Sequence, residues 1–147
     1  GAILRYVELP TPRPSAPVDP MALGRQFEDD VVAVVAAQAE ATGASYARRV
    51  SLRALDKDGN LLPGRAVADV VVVSANKNVS IIEAKWNLNT RLTTRQNAHY
   101  KSLSEYGGQV VGLNGASIGL GNKTRLSPTT VSIVRGPTVP SNFSLFD

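Results

Sequence analysis

The apolar positions change rhythm along the chain, and each rhythm predicts an element. From Met21 to Thr42 they recur at helical spacing, with Leu23, Phe27, Val31, Val34 and Val35 on one stripe. Asp19 suits the N-cap, Pro20 the first helical position and Gly43 the stop. Residues 45–55 alternate and predict a strand, followed by turn residues at Asp58-Gly59-Asn60 and Pro63-Gly64. Ala66 to Val73 is almost continuously apolar, as a central strand buried on both faces would be. An asparagine-rich break leads into a second apolar run, Val79 to Trp86, so the pair predicts a hairpin. After a loop at 87–92, Thr93 or Thr94 caps a helix reaching Tyr106, and Gly107-Gly108 end it. Gln109 to Leu113 and the proline-bounded stretch 128–137 predict two further strands. Phe143 and Phe146 in the tail are suited to docking on the core.

These elements predict one α/β (α+β) domain: a mixed central sheet of about four or five strands flanked by the two helices. Residues 1–20 read as a proline-rich linker, with five prolines between positions 9 and 20, and 21–147 as the domain. The Gly-Ala start reads as that of a piece cut or released from a larger protein.

Three charges interrupt the hairpin's apolar runs: Asp69, Glu83 and Lys85. A charge left unpaired in such a place is heavily penalised, so each requires a reason. Glu83 and Lys85, two apart on a strand, leave from one face. A three-residue loop, Asn76-Lys77-Asn78, would pair Ala75 with Val79, set Asp69 opposite Lys85 and gather all three charges on that face. A four-residue loop would send Asp69 to the other face unless a bulge intervened. Two carboxylates and an amine together suit metal-dependent phosphodiester hydrolysis. Magnesium binds carboxylate oxygens while keeping waters and a phosphate, and a neighbouring lysine can orient the attacking water or stabilise developing charge. The competing reading is an internal salt bridge between Lys85 and one of the acids.

Charge and composition narrow the field. Residues 1–46 carry three basic and six acidic side chains; residues 47–147 carry thirteen and six, a net of +7. Lys85, Arg91, Arg95 and Lys101 follow one another without an intervening acid, which suits a polyanionic substrate or, more blandly, a solvated basic face. Cysteine is absent, so disulfide frameworks and thiolate zinc sites are excluded. No run approaches the roughly 20 apolar residues of a membrane span. His99 is the only histidine, which argues against nucleases built on a histidine pair. The glycine-rich stretch 112–124 lacks a phosphate-cradling pattern and reads as a mobile loop near the substrate. Gln96, His99 and Tyr100 share one face of the second predicted helix. There Gln96 could hold water or phosphate, and Tyr100 could touch a nucleic-acid backbone or pack in the core. Glu28 borders the first helix's stripe, either as an inward-facing acid or as a surface acid beside Asp29 and Asp30.

The series Gly-Arg-Gln-Phe-Glu28, Ala-Asp69-Val-Val-Val-Val, Ile-Ile-Glu83-Ala-Lys85, Leu-Thr-Thr-Arg-Gln96 with Tyr100, Gly-Gly-Gln-Val-Val-Gly112 and Pro-Thr-Thr-Val-Ser-Ile-Val-Arg135 spans most of residues 21–137. It resembles the PD-(D/E)XK, restriction-endonuclease-like toxin domains that end bacterial polymorphic toxins, including Rhs-type and type VI secretion effectors. The stretch between Val111 and Pro128 does not align with that pattern. The resemblance implies a restriction-endonuclease-like core and a magnesium- or manganese-dependent DNase. Such a toxin domain is delivered by an upstream secretion domain, acts in the cytoplasm of a competing bacterium and is blocked by a cognate immunity protein, here expected to be acidic. It implies that Asp69, Glu83 and the Ala84 carbonyl hold the metal, that Lys85 positions water, that Glu28 completes the metal shell and that Gln96 orients substrate. Arg91, Arg95, Tyr100 and Lys101 are the expected nucleic-acid contacts. A ribonuclease on the same scaffold, using His99 with an acid, and a non-catalytic nucleic-acid-binding module are the alternatives.

Overall fold

The structure, a computed structural model, describes residues 2–8, 19–87, 91–136 and 145–146. In chain order these form β1 (Leu4–Glu8), α1 (Pro20–Thr42), β2 (Ser45–Ala54), β3 (Ala66–Val73), β4 (Val79–Lys85), α2 (Thr94–Tyr106), β5 (Gly108–Val111), a short 3-10 turn at Ala116–Ile118, β6 (Arg125–Leu126) and β7 (Thr130–Arg135). The strands make one seven-stranded sheet in the order β1-β7-β4-β3-β2-β5-β6. β7 runs parallel to both β1 and β4, and the remaining pairings are antiparallel. The mixed α/β class is as the sequence predicts, but the sheet has seven strands rather than four or five.

The two extra strands have identifiable causes. Residues 4–8, assigned to the 1–20 linker, instead form the edge strand β1, whose Leu4 and Val7 pack on opposite faces of the sheet. The nearby prolines obscured this short alternation; they fall at 9–18, outside the described residues. The stretch expected to be a mobile loop, 112–124, runs directly into β6; Leu120 within it and Leu126 of β6 join the core. The Asn114 side chain fastens it to the Arg49 carbonyl at 2.8 Å.

The helix signals act as the residue types dictate. The Asp19 carboxylate accepts the Met21 N–H, Pro20 opens α1, and Gly43 closes it in the left-handed region at φ 73. Thr93 and Gln96 form a reciprocal capping box on α2. Gly107 is required where α2 turns into β5, because a Cβ there would collide with the Leu126 carbonyl. α1 covers one face of the sheet through Phe27, Val31 and Val35, and α2 covers the other through Tyr100 and Leu103. Each such side chain, fully buried, contributes about 2 kcal/mol. Leu145 and Phe146 are buried on the α1 face, as expected of the tail's Phe146, whereas Phe143 lies outside the described residues.

The hairpin loop has three residues, the shorter of the two lengths left open by the sequence, but lies one residue earlier than Asn76-Lys77-Asn78. Ser74 and Asn78 close it (Ser74 N–H to the Asn78 carbonyl at 2.9 Å), leaving Ala75, Asn76 and Lys77 as the turn. Lys77 takes the left-handed position at φ 68, and the Ser74 hydroxyl holds the Asn78 N–H. Val70 therefore pairs with Ile82, which puts Asp69 across from Glu83 rather than Lys85.

Candidate active site

β3 and β4 part company at Asp69. Their ladder runs from Val73–Val79 to Val70–Ile82, and beyond it side chains replace backbone partners. The Ala84 N–H donates to Asp69 Oδ2 at 2.7 Å, and the Asp69 N–H donates to Glu83 Oε1 at 3.4 Å. The acids thus satisfy backbone donors that the splayed strands leave over.

The same position breaks the strand alternation. Ala66 and Ala68 face the α2 side and so does Val71, while Val70 and Val72 face α1. β2 makes the matching switch, with Ala47 and then Val50 on the α2 side, and Arg49 between them stands at φ 55. Arg49 lies across from Asp69 in the register that Arg48–Val70 and Val50–Ala68 define. Two strands changing face together keep their register while turning Asp69 toward Glu83.

Glu83 is 3 % exposed, yet both of its oxygens have partners. Oε1 accepts the Tyr100 hydroxyl at 2.7 Å; Oε2 accepts Gln96 Nε2 at 3.1 Å and lies 3.6 Å from Lys85 Nζ. Lys85 Nζ also reaches Gln96 Oε1 at 3.4 Å, and that oxygen accepts the Thr93 N–H of the capping box. Gln96 therefore ties the start of α2 to both charged residues of β4.

Burial and the Glu83 charge push the Asp69 carboxyl up to about 8, with Glu28 adding to the pressure and the Ala84 hydrogen bond opposing it. Burial raises Glu83 as well, against the hydrogen bond from Tyr100 and the charge of Lys85. Burial, with Glu83 beside it, raises the Tyr100 hydroxyl, so it remains a donor. One lysine thus stands beside a buried acid and a half-buried one.

That donor set suits a hard divalent cation: two carboxylates under mutual repulsion, and beside them the Ala84 carbonyl. The Lys85 carbonyl accepts from Gly136 on the β7 side. Backbone groups alternate along a strand, so the Ala84 carbonyl turns the other way, toward Asp69. Among the described residues, no three His, Asp or Glu side chains converge as a ready metal cluster. Glu28 lies near enough to Asp69 to raise it and stands 3.4 Å from both Arg48 and Arg49, its Oε1 buried without a hydrogen bond.

The expected nucleic-acid contacts divide. Tyr100 is wholly buried and serves Glu83, so it presents nothing to a nucleic acid. Arg91 and Lys101 line one groove beside α2, whereas Arg95 lies against Gly64 on the opposite flank. His99 is a core group. Its Nδ1 accepts the Ala54 N–H at 2.9 Å, and its Nε2 is 3.0 Å from the Pro63 carbonyl, so the bonded tautomer carries its proton on Nε2. Burial lowers its pKa, which keeps it neutral.

Sequence reasoning missed the Tyr100–Glu83 bond, the paired kink at Arg49 and Asp69, and the presence of Tyr6 and Arg135 in the Arg91–Lys101 groove. The shared helical face of Gln96 and Tyr100 was the available signal for the first. Compared with known proteins, the chain matches no family model, no curated protein and no solved structure.

Proposed function

We propose that this chain is a divalent-metal-dependent nuclease that hydrolyses phosphodiester bonds, with DNA as substrate, built on a restriction-endonuclease-like plan. The carrying observation is the Asp69–Glu83 pair at the strand splay, Glu83 buried and Asp69 half-buried, with Lys85 Nζ 3.6 Å from Glu83. An internal salt bridge alone would leave the second acid uncompensated, whereas a metal site explains why both are there.

Asp69, Glu83 and the Ala84 carbonyl would hold the cation. Bound there, it would neutralise phosphoryl charge and make a nearby water more acidic. Lys85 holds and orients the attacking water and meets the charge that develops on the phosphate. Gln96 fixes the Lys85 amine through Oε1 and the Glu83 carboxylate through Nε2. Tyr100 fixes the other Glu83 oxygen, so the acid cannot rotate away. Glu28 stands in reserve behind Arg48 and Arg49 rather than as a ligand.

The ribonuclease reading loses its general acid–base candidate, since both His99 nitrogens serve the backbone. The wider role follows from the sequence resemblance: a toxin domain of an interbacterial effector, carried by an upstream delivery domain and silenced by an acidic immunity protein. The net charge of +7 over residues 47–147 favours such an acidic partner. Incubating purified protein with plasmid and with total RNA, in magnesium and in EDTA, tests the reading. Plasmid cleavage that EDTA stops is expected; metal-independent RNA cleavage, or no cleavage of either, overturns it.

A further inference from the structure

A groove of about 760 Å³ runs between the outer flank of α2 and the β1–β7 edge. Thr94, Asn97 and Lys101 line its helical wall, spaced so that they share one face of α2. The opposite wall carries Tyr6 and Arg135, and Arg91 closes the end near the start of α2. No acid lines it among the described residues; Glu8 stands across the strand register from Arg135.

Its position relates it to the candidate site. Lys85 and Arg135 are register partners on adjacent parallel strands, so their side chains leave the same face of the sheet. Tyr6 pairs with Ile133, and Ile133 pairs with Glu83. Tyr6 is therefore two strand spacings, about 10 Å, from the acid's strand. Gln96 and Tyr100 look inward from α2 to Glu83, while Asn97 and Lys101 look outward into the groove.

Tyr6 is 56 % exposed on an edge strand and lines the groove. A ring beside three cations is the combination that holds unpaired nucleotides, bases stacking on the ring and phosphates following the cations. A duplex offers the ring no open base face, because its bases are already stacked and paired.

Resting on the nuclease reading for its biological sense, we infer that this groove holds a single-stranded segment of the nucleic acid, flanking the bond to be cut. Tyr6 stacks on one base, and Arg91, Lys101 and Arg135 contact the adjoining phosphates. The preferred substrate is thereby one whose strand can fray beside the bond to be cut, as a supercoiled plasmid's strand can, over a short blunt duplex.

Fluorescence anisotropy in EDTA reads binding without cleavage, so the groove and the chemistry are tested separately. The probes are a labelled oligothymidylate, an oligouridylate and a blunt DNA duplex of equal length. The expected result is tighter binding of a single-stranded probe than of the duplex, the better of the two naming the sugar. Tyr6→Ala should weaken that binding by at least about five-fold and Tyr6→Trp should preserve it. Lys101→Ala should make the salt dependence shallower. Equal or tighter binding of the duplex, or a Tyr6→Ala protein that binds like the wild type, overturns the inference. Plasmid cleavage persisting beside such a failure would leave the nuclease reading intact; single-strand binding without any cleavage would do the reverse.

Discussion

Asp69 and Glu83 face one another across the splay of β3 and β4, the N–H of the first donating to Oε1 of the second at 3.4 Å. Lys85 serves Glu83, and among the described residues no cation pairs with Asp69. This arrangement costs stability whenever both acids ionise, and a dication bound there would offset that cost.

The pair should make the metal-free protein less stable as pH rises. The folded Asp69 holds its proton up to about 8, and its ordinary value is 3.8, so between them the folded state binds more protons than the unfolded state. Stability then falls with rising pH across that window. His99, with its lowered pKa, acts in the opposite sense and only below its ordinary 6.5. Thermal unfolding in EDTA from pH 6.5 to 8 should therefore show a falling midpoint. Asp69→Asn should flatten that trend, and magnesium should lift the wild-type midpoint most at the alkaline end. A wild-type midpoint that rises with pH would contradict this account of the pair.

Removing the Tyr100 hydroxyl leaves Glu83 Oε1 with only the long Asp69 N–H contact. Tyr100→Phe should keep the fold and weaken manganese binding by about 10- to 100-fold, the usual cost of losing a group that orients a metal ligand. Calorimetric titration of the two proteins makes the comparison, and equal affinities would remove Tyr100 from the site.

His99→Phe should destabilise the fold by about 2–4 kcal/mol, because the Ala54 N–H and Pro63 carbonyl lose their shared partner. Urea unfolding measures that. Cleavage per folded molecule should be unchanged, in contrast to a histidine that moves protons.

Lys77 occupies a left-handed position at φ 68, where glycine carries no Cβ strain. Lys77→Gly should leave stability unchanged or raise it by up to about 1 kcal/mol, while Asn78→Gly should lower it, because Asn78 lies outside the left-handed region and glycine there only adds freedom to the unfolded chain. The reverse order in denaturant midpoints would favour the loop Asn76-Lys77-Asn78 and the other register.

Much of this molecule is written locally. Asp19, Pro20, Gly43, Thr93 and Gln96 act through neighbours a few residues away, so their helix ends are readable from the sequence. The loop length stayed open between three and four residues, and gathering Asp69 with Glu83 required the odd length that the loop has. The register itself was not readable, because Asn78 suits the left-handed position that Lys77 in fact takes. The kink at Arg49 and Asp69 involves two strands twenty residues apart in sequence and leaves no mark in either one alone. β1 was hidden for a related reason: its partner, β7, lies more than a hundred residues away, and its five residues adjoin a proline-rich stretch. Tyr100's role was open between solvent and core until α2 was set against Glu83.

The most direct test of the central claim is the initial rate of magnesium-dependent plasmid nicking by the wild type, Glu83→Gln and Lys85→Ala, each shown to be folded. Both variants should lose at least about 100-fold in rate, since one removes a ligand charge and the other the amine that holds water. A loss of only a few-fold in either would mean that the Asp69–Glu83–Lys85 cluster is a structural ion network and that any hydrolysis occurs elsewhere.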